Sequence, residues 1–369
     1  MAGAGGGPLR VGLIGCGAIG QVHADGLAKL VDDGLVTAVV AADPSPAARA
    51  AANRNCTFAR QSDDPVAALQ AADVEAVLIA TPTRIHAELV TAALDAGKAL
   101  LCEKPLAPRF DEVRRLCAAV TGTGLTAQVG FHSRFHPLAE WLRAAVVTES
   151  LGPPMSYALR DDQFFPSGDF VPGHSSWRHD AELAGGGALL EHSIHAADLL
   201  LWVFGPVRRV YGVTRHSFGY GVEDSAVLTI EHHSGVIGSL ITVFNGVVGR
   251  EERRLEAFFE LGTVEVTSDF IVGAPEDGLL VQRPGTPAEH PDLGALREAH
   301  FARLGIARRD FIFYQYPADR AWVRAVRAGR PASPGFADAF AAHALVEAAY
   351  RSAARGVPVE LVGDLAAPR

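Results

Sequence analysis

The chain is short of cysteine, short of positive charge and without a long apolar run. Four cysteines, Cys16, Cys56, Cys102 and Cys117, are spread over 369 residues with no Cys-x-x-Cys pair and no zinc-ligand spacing. A disulfide scaffold and a cysteine-based metal knuckle are therefore excluded, and no other metal-ligand cluster is read. Two of the thiols fall in apolar stretches, so reduced cysteines of a cytoplasmic protein are expected. Basic residues number 33 against 42 acidic ones, a formal net charge of −9. With no basic run and no basic aromatic stripe, the sequence argues against a nucleic-acid partner. The same balance gives no attraction to an anionic membrane, and no segment approaches the roughly 20 apolar residues of a membrane helix. Residues 1–8 are rich in Gly and Ala, with neither a basic flank nor an apolar core. They read as a disordered tail, not a signal peptide.

What remains is an ordinary globular composition, 49% hydrophobic and 20% charged, in a chain long enough for two domains. Residues 9–131 alternate strand and helix patterns, as a parallel, doubly wound α/β sheet requires. The expected strands are Arg10–Ile14, Leu35–Ala42, Val74–Ala80, Ala99–Cys102 and Thr126–Phe131, with a first helix at Gln21–Val31. Their near-continuous apolar character implies burial on both faces. From about residue 153 the pattern changes. Met155–Phe165, Val207–Ser217, Ala226–His232, Val236–Phe244, Arg253–Glu260 and Thr263–Thr267 read as strands. Turns such as His233-Ser234-Gly235 and Leu261-Gly262 make neighbours antiparallel. A helix over Gly187–Phe204 interrupts them. Residues 132–369 are thus an α+β domain with a large, mostly antiparallel open sheet. Its late helix, 336–355, is a candidate to pack back on the first domain.

Gly15-Cys16-Gly17-Ala18-Ile19-Gly20 follows the first strand and opens the first helix. Gly15 permits the tight turn, Gly17 lets a pyrophosphate approach the main chain, and Gly20 lets helix and strand pack closely. The N–H groups of Ala18 and Ile19 stand at the helix start, where phosphates bind. Asp43 ends the second strand, at the spacing of a ribose-binding acid. It favours NAD over NADP, while Arg49 and Arg54 keep NADP open. His23, one turn into the helix, suits packing or capping better than catalysis.

Three further groups sit at strand ends or on a helix. Thr81-Pro82 closes the strand Val74–Ala80, and His86 is a candidate to line a cofactor cleft or to pack locally. Glu103-Lys104-Pro105 closes the strand Ala99–Cys102, where a lysine is placed to hold a hydroxyl or polarise a developing carbonyl. Glu191, His195 and Asp198 lie at helical spacing among Leu189, Leu190, Ile194, Leu199 and Leu200. Polar groups on so apolar a helix require a reason, and carboxylate with imidazole suits proton transfer near neutral pH.

Together these motifs resemble the glucose–fructose oxidoreductase/inositol dehydrogenase/MocA (Gfo/Idh/MocA) family, over about Leu9 to Leu361. The resemblance also draws on Arg134-Phe135-His136-Pro137, Trp177-Arg178, Gly185-Gly186-Gly187 and the helix around Tyr350. It implies a Rossmann domain binding NAD through Gly15, Gly17, Ala18, Ile19, Gly20, Asp43, Thr81, Pro82, His86, Glu103 and Lys104. It places the family's catalytic lysine on Lys104 and its catalytic histidine on His195. Four residues before that histidine the family usually has Asp, and here the residue is Glu191. The substrate cleft it implies makes Arg134, Asp162, Gln163, Trp177, Arg178 and His179 candidate substrate contacts, with Trp177 suited to stack on a sugar face.

The activity so implied is NAD-dependent hydride transfer at a hydroxyl carbon of a sugar, cyclitol or aminosugar-type polyol. An alternative is a glycosidase that oxidises and re-reduces its substrate on NAD. A non-catalytic NAD sensor is disfavoured by Lys104 and His195. Apolar alternation in Val227–Ile230 and Val236–Val243 leaves one sheet face apolar, so a homo-oligomer, dimer or tetramer, is expected through the second domain's sheet.

Overall fold

The computed structural model describes residues 7–166, 176–268 and 272–366. Most of the expected tail lies outside the described residues. The chain divides into two compact units: Met1–His132 with Phe313–Phe340, and Ser133–Ile312 with Ala341–Arg369.

Among the described residues, the first unit holds a six-stranded parallel sheet. Its strands are β1 (Leu9–Ile14), β2 (Val36–Ala42), β3 (Arg60–Ser62), β4 (Ala76–Ile79), β5 (Ala99–Cys102) and β6 (Ala127–Val129), in the order β3-β2-β1-β4-β5-β6. Every residue of β4 and β5 is buried, as expected for strands covered on both faces. The strand order reverses between β1 and β4. Ligands bind such sheets beyond the carboxyl ends of the strands flanking that point. The first helix spans Ala18–Asp32, three residues earlier than the apolar pattern suggested, so its first turn rises directly out of the glycine loop. The unit is not contiguous in sequence. Residues 313–340 return to it and bring the helix Gln315–Arg327, which buries Trp322 and Val323 completely. The expected 132–369 domain is thus interrupted. The late helix Phe336–Arg355 is divided too, its first five residues belonging to the first unit.

Among the described residues, the second unit is built on an eight-stranded sheet. Its strands are β7 (Pro154–Phe164), β8 (Val207–Arg215), β9 (Ser225–His232), β10 (Ile237–Asn245), β11 (Glu251–Phe259), β12 (Gly262–Ser268), β13 (Gly278–Gln282) and β14 (Val359–Glu360). The order is β13-β12-β11-β7-β10-β9-β8-β14, with β7–β10 the single parallel pair among otherwise antiparallel neighbours. Alternation fixes the faces. In β9, Ala226, Leu228 and Ile230 point inward while Val227 is 49% exposed. The short strands β3, β13 and β14 were not legible in the apolar pattern. The helix expected over Gly187–Phe204 is instead a π-turn, Ala188–His192, followed by an α-helix, Ile194–Phe204.

Candidate active site

In the first unit the glycine loop has the shape a dinucleotide needs. The Gly15 N–H donates to Ala42 O at the end of β2, and Ala80 N–H beyond β4 donates to Ile14 O. Gly15 has φ +93°, and a Cβ there would lie 2.5 Å from Ala80 O. At Gly20 a Cβ would lie 2.1 Å from Gly15 O, so only glycine lets helix and loop meet. At Gly17 a Cβ would meet nothing within 4 Å, which leaves open space over the exposed Gly17, Ala18 and Ile19. The helix start has no side-chain cap and no acidic residue in its first turn. Its N–H groups therefore face that space, an arrangement that fits the pyrophosphate of NAD.

Asp43 flanks the loop. Its Oδ2 accepts from Cys16 N–H at 2.9 Å and its Oδ1 from Ser45 N–H at 2.8 Å. These bonds fix the carboxylate while its remaining lone pairs suit ribose hydroxyls. Arg49 donates to the carbonyl oxygens of Asp43 and Pro44, and Arg54 lies exposed in the last turn of the next helix. Thr81 and the exposed Pro82 follow β4. His86 is 1% exposed, with ring nitrogens 2.7 and 2.8 Å from the carbonyl oxygens of Pro105 and Thr81. Burial pushes its pKa down, and the ring lies between the loop after β4 and the segment after β5. Glu103 is 6% exposed, and its Oε2 accepts from the Lys104 N–H at 3.2 Å. Lys104 is half-buried at that strand end, and the Lys104–Pro105 peptide is cis.

In the second unit, three carboxylates anchor the segment carrying Glu191 and His195. Glu223 caps its start, accepting from Gly187 N–H at 2.8 Å and Leu189 N–H at 2.9 Å, and the Tyr350 hydroxyl donates to it at 2.8 Å. Burial raises the Glu223 pKa despite those donors. Gly187 is required there, since a Cβ would fall 1.8 Å from Glu223 O. Asp161 on β7 holds the middle. The Ser193 hydroxyl donates to it at 2.7 Å, His192 Nε2 lies 3.2 Å away, and Arg253 donates from Nε at 3.0 Å. Burial opposes the charge on Asp161. Arg253 and His192 outweigh it and hold the carboxyl well below the ordinary carboxylate range. Asp198 holds the far end, where Arg134 donates from Nε at 2.8 Å and Nη2 at 2.6 Å in a buried, bidentate pair. Between these anchors sit Glu191, 5% exposed, and His195, 3% exposed. The Ser193 N–H donates to Ala188 O, five residues back, so their spacing of four spans a π-to-α junction and not a regular helix face.

The candidate substrate contacts divide. Arg178 lies with Nε 3.7 Å from Glu191 Oε2 and stacks on Trp177 at 4.5 Å. Trp177 and His179 line an open cleft of about 670 Å³ with Ser176, Asp180, Ala181, Leu183 and Gly221. Arg134 is committed to Asp198, and Gln163 donates to Glu251 at 2.8 Å. Asp162 faces away from the Glu191–His195 segment, because its neighbour Asp161 takes the inward position in β7, and it accepts from Arg250 at 3.0 Å. Sequence reasoning passed over Asp161, Glu223 and Tyr350. Strand parity marked Asp161, whereas the partners of Glu223 are 34 and 127 residues distant and left no local signal.

Residues 9–131 match the family described as an oxidoreductase family with an NAD-binding Rossmann fold, and residues 140–265 match the GFO/IDH/MocA C-terminal domain. Inositol 2-dehydrogenase 4 of Saccharopolyspora erythraea is 32% identical over 269 residues, 71% of this chain and 74% of that protein. The scyllo-inositol 2-dehydrogenase (NAD(+)) of Bacillus subtilis is 29% identical over 239 residues, 63% of this chain and 66% of that one. Among solved structures, levoglucosan dehydrogenase in complex with NADH superposes with a TM-score of 0.84 at 24% identity, covering 96% of this chain and 99% of that chain. The glycine loop, the strand order, the second sheet and these matches agree, and the chain belongs to the Gfo/Idh/MocA family of NAD-binding oxidoreductases.

Proposed function

We propose that this protein transfers a hydride between NAD and a hydroxyl-bearing carbon of a sugar, cyclitol or aminosugar-type polyol. His195 is the acid–base group, and Lys104 holds the reacting oxygen. The observation that carries the reading is the segment bearing Glu191 and His195: a buried imidazole and carboxylate on a segment held by Glu223, by Asp161 and by the Asp198–Arg134 pair. Relatives named inositol 2-dehydrogenase, scyllo-inositol 2-dehydrogenase and levoglucosan dehydrogenase support a polyol substrate.

Bound NAD supplies the hydride acceptor. His195 takes the hydroxyl proton as the C–H bond breaks, a step that needs its ring neutral and oriented. Lys104 donates to the same oxygen and favours its developing negative charge. Glu191 accepts from a neighbouring hydroxyl, with Arg178 opposing its charge. Trp177 offers an apolar face to the ring. Asp43 accepts from ribose hydroxyls and disfavours a 2′-phosphate, so NAD is preferred over NADP. The protein works in the cytoplasm, a reading supported by its four cysteines being free of disulfides. It assembles as a homo-oligomer through the outer face of its eight-stranded sheet. There Val213 pairs with Val227 and Val227 with Ile241 in one exposed apolar row.

The test is NADH formation on myo-inositol, scyllo-inositol, levoglucosan and D-glucose, with NADH binding measured separately. One polyol should turn over. Lys104→Ala and His195→Ala should each lose at least about a hundredfold in turnover, the scale of acid–base catalysis, while still binding NADH. Turnover near wild type in both variants would sink the mechanism. Aglycone release from glycosides with no NADH would replace the dehydrogenase by an NAD-dependent glycosidase.

A further inference from the structure

A buried string of charged side chains lies under the strand end that carries Lys104. His23, on the helix Ala18–Asp32, is 1% exposed. Its Nδ1 lies 2.9 Å from both carboxylate oxygens of Asp319, a fully buried residue of the helix Gln315–Arg327. Its Nε2 lies 3.1 Å from Glu103 Oε1, and the other oxygen of Glu103 accepts from Lys104 N–H at 3.2 Å. The string thus runs from Asp319 through His23 and Glu103 to the Lys104 backbone. It joins three elements far apart in sequence.

Both ring nitrogens of His23 face carboxylates, which only accept when ionised. The ring donates from both sides and is an imidazolium. Burial opposes that charge, but Asp319 and Glu103 outweigh it and push His23 up to about 10. Burial likewise opposes the charge on Glu103, yet His23, Lys104 and His132 hold its carboxyl below the ordinary value. Asp319 is raised by burial and by the repulsion of Glu103. Both ends are packed against glycine. A Cβ at Gly130 would lie 2.3 Å from Glu103 Oε1, and one at Gly26 would lie 3.0 Å from Asp319 Oδ2.

We propose that His23 and Asp319 are positioning residues for hydride transfer. Through Glu103 they fix the backbone at Lys104 and so the direction of the ammonium that holds the reacting oxygen. The inference rests on the role given to Lys104 above. Stability alone is a poor reason for such a string, because buried ion pairs are often no better than apolar packing of the same volume.

The experiment is a mutant cycle on the full chain. His23→Gln, Asp319→Asn and Lys104→Ala are made singly, and the first two are each combined with the third. Turnover is measured with NAD on whichever of myo-inositol, scyllo-inositol and levoglucosan reacts, and NADH binding by fluorescence. A displaced catalytic group costs on the order of a hundredfold in kcat, so His23→Gln and Asp319→Asn should each lose about that much with NADH affinity held within about threefold. In the Lys104→Ala background neither should lose more, because both act through the missing ammonium. Losses that multiply with Lys104→Ala, or wild-type kcat in both single variants, overturn the proposal. Full turnover in Lys104→Ala instead overturns the role of the lysine, and the proposal with it. Should His23→Gln fail to fold, the near-isosteric Asp319→Asn carries the cycle. Nitrogen NMR of the wild type gives a reading independent of substrate: both His23 ring nitrogens should stay protonated from about pH 6 to about pH 9. A neutral ring at neutral pH would refute the inference.

Discussion

Asp161 and Asp162 are adjacent in β7 and turn to opposite faces of the sheet. Asp161 is 1% exposed and grips His192, Ser193 and Arg253 beneath the helix that bears His195. Asp162 is also buried, 7% exposed, but on the other face, where its partner Arg250 is 47% exposed. Removing one partner of a pair buried on both sides costs about 3–5 kcal/mol, and the cost falls where the partner left behind reaches solvent. Asp161→Asn should therefore lower unfolding stability by a few kcal/mol and reduce turnover, while Asp162→Asn, whose partner Arg250 reaches solvent, should lose less stability and keep turnover near wild type. Urea unfolding and NADH formation measure this. Equal losses in the two variants would refute the assignment of faces.

Two glycines of the same loop should behave differently. Gly20→Ala forces a Cβ to 2.1 Å from Gly15 O, so the helix must shift and the protein should fold poorly or melt several degrees lower. Gly17→Ala adds a methyl into open space, so melting should be unchanged while NADH affinity falls by about tenfold or more. Thermal melts with and without NADH separate the cases. A Gly17→Ala variant that binds NADH normally would argue against the pyrophosphate lying over that residue.

The charge on His23 gives stability a pH signature. Its folded pKa, about 10, lies above the unfolded value near 6.5. The stability it contributes is complete below pH 6.5 and is lost as the pH rises through about 10. The stability gap between wild type and His23→Gln should thus be widest near pH 6 and close progressively toward pH 10. Chemical denaturation across that range tests it, and a gap that widens with pH would contradict the imidazolium.

Cofactor choice should respond to Asp43. Asp43→Ser removes the carboxylate that accepts from Cys16 N–H and repels a 2′-phosphate. NAD affinity should fall by about tenfold and the preference for NAD over NADP should narrow by more than that, as one lost charge repulsion allows. Fluorescence titrations with NADH and NADPH decide it.

The row Val213, Val227 and Ile241 should carry assembly. Val227→Glu places a charge at its centre and should convert the oligomer to a monomer in light scattering, with little change in the melting of the separated chains. An unchanged molar mass, or a wild type that is already monomeric, would remove the sheet face from the argument.

Much of this was readable from the chain because the signals were local. The strand, glycine loop and helix occupy 24 consecutive residues, Leu9–Asp32, and Asp43 follows at a set distance, so the Rossmann unit and its loop match what the sequence implied. The antiparallel strands announced themselves by alternation and by turns such as the one at Gly235, with φ +92°. What escaped notice depends on distant partners. His23 read as a packing residue because Asp319 lies 296 positions away. The π-turn at Ala188–His192 was hidden in an apolar run that fits an α-helix equally well, and its cause, Glu223, lies beyond another strand. Asp162 came from the family resemblance, while the alternation of β7, which puts Asp161 on the inward face with Tyr157 and Leu159, was passed over.

The return of residues 313–340 to the first unit bears on how such proteins are recombined. The nucleotide-binding half is spelled in two separate stretches of gene, with the other half written between them and after them. A chimera cut once at residue 132 would inherit the glycine loop and Lys104 but leave behind Asp319, the far anchor of His23. Exchanging one half for a foreign counterpart therefore calls for a graft at several junctions, with the second stretch of the gene travelling alongside the first.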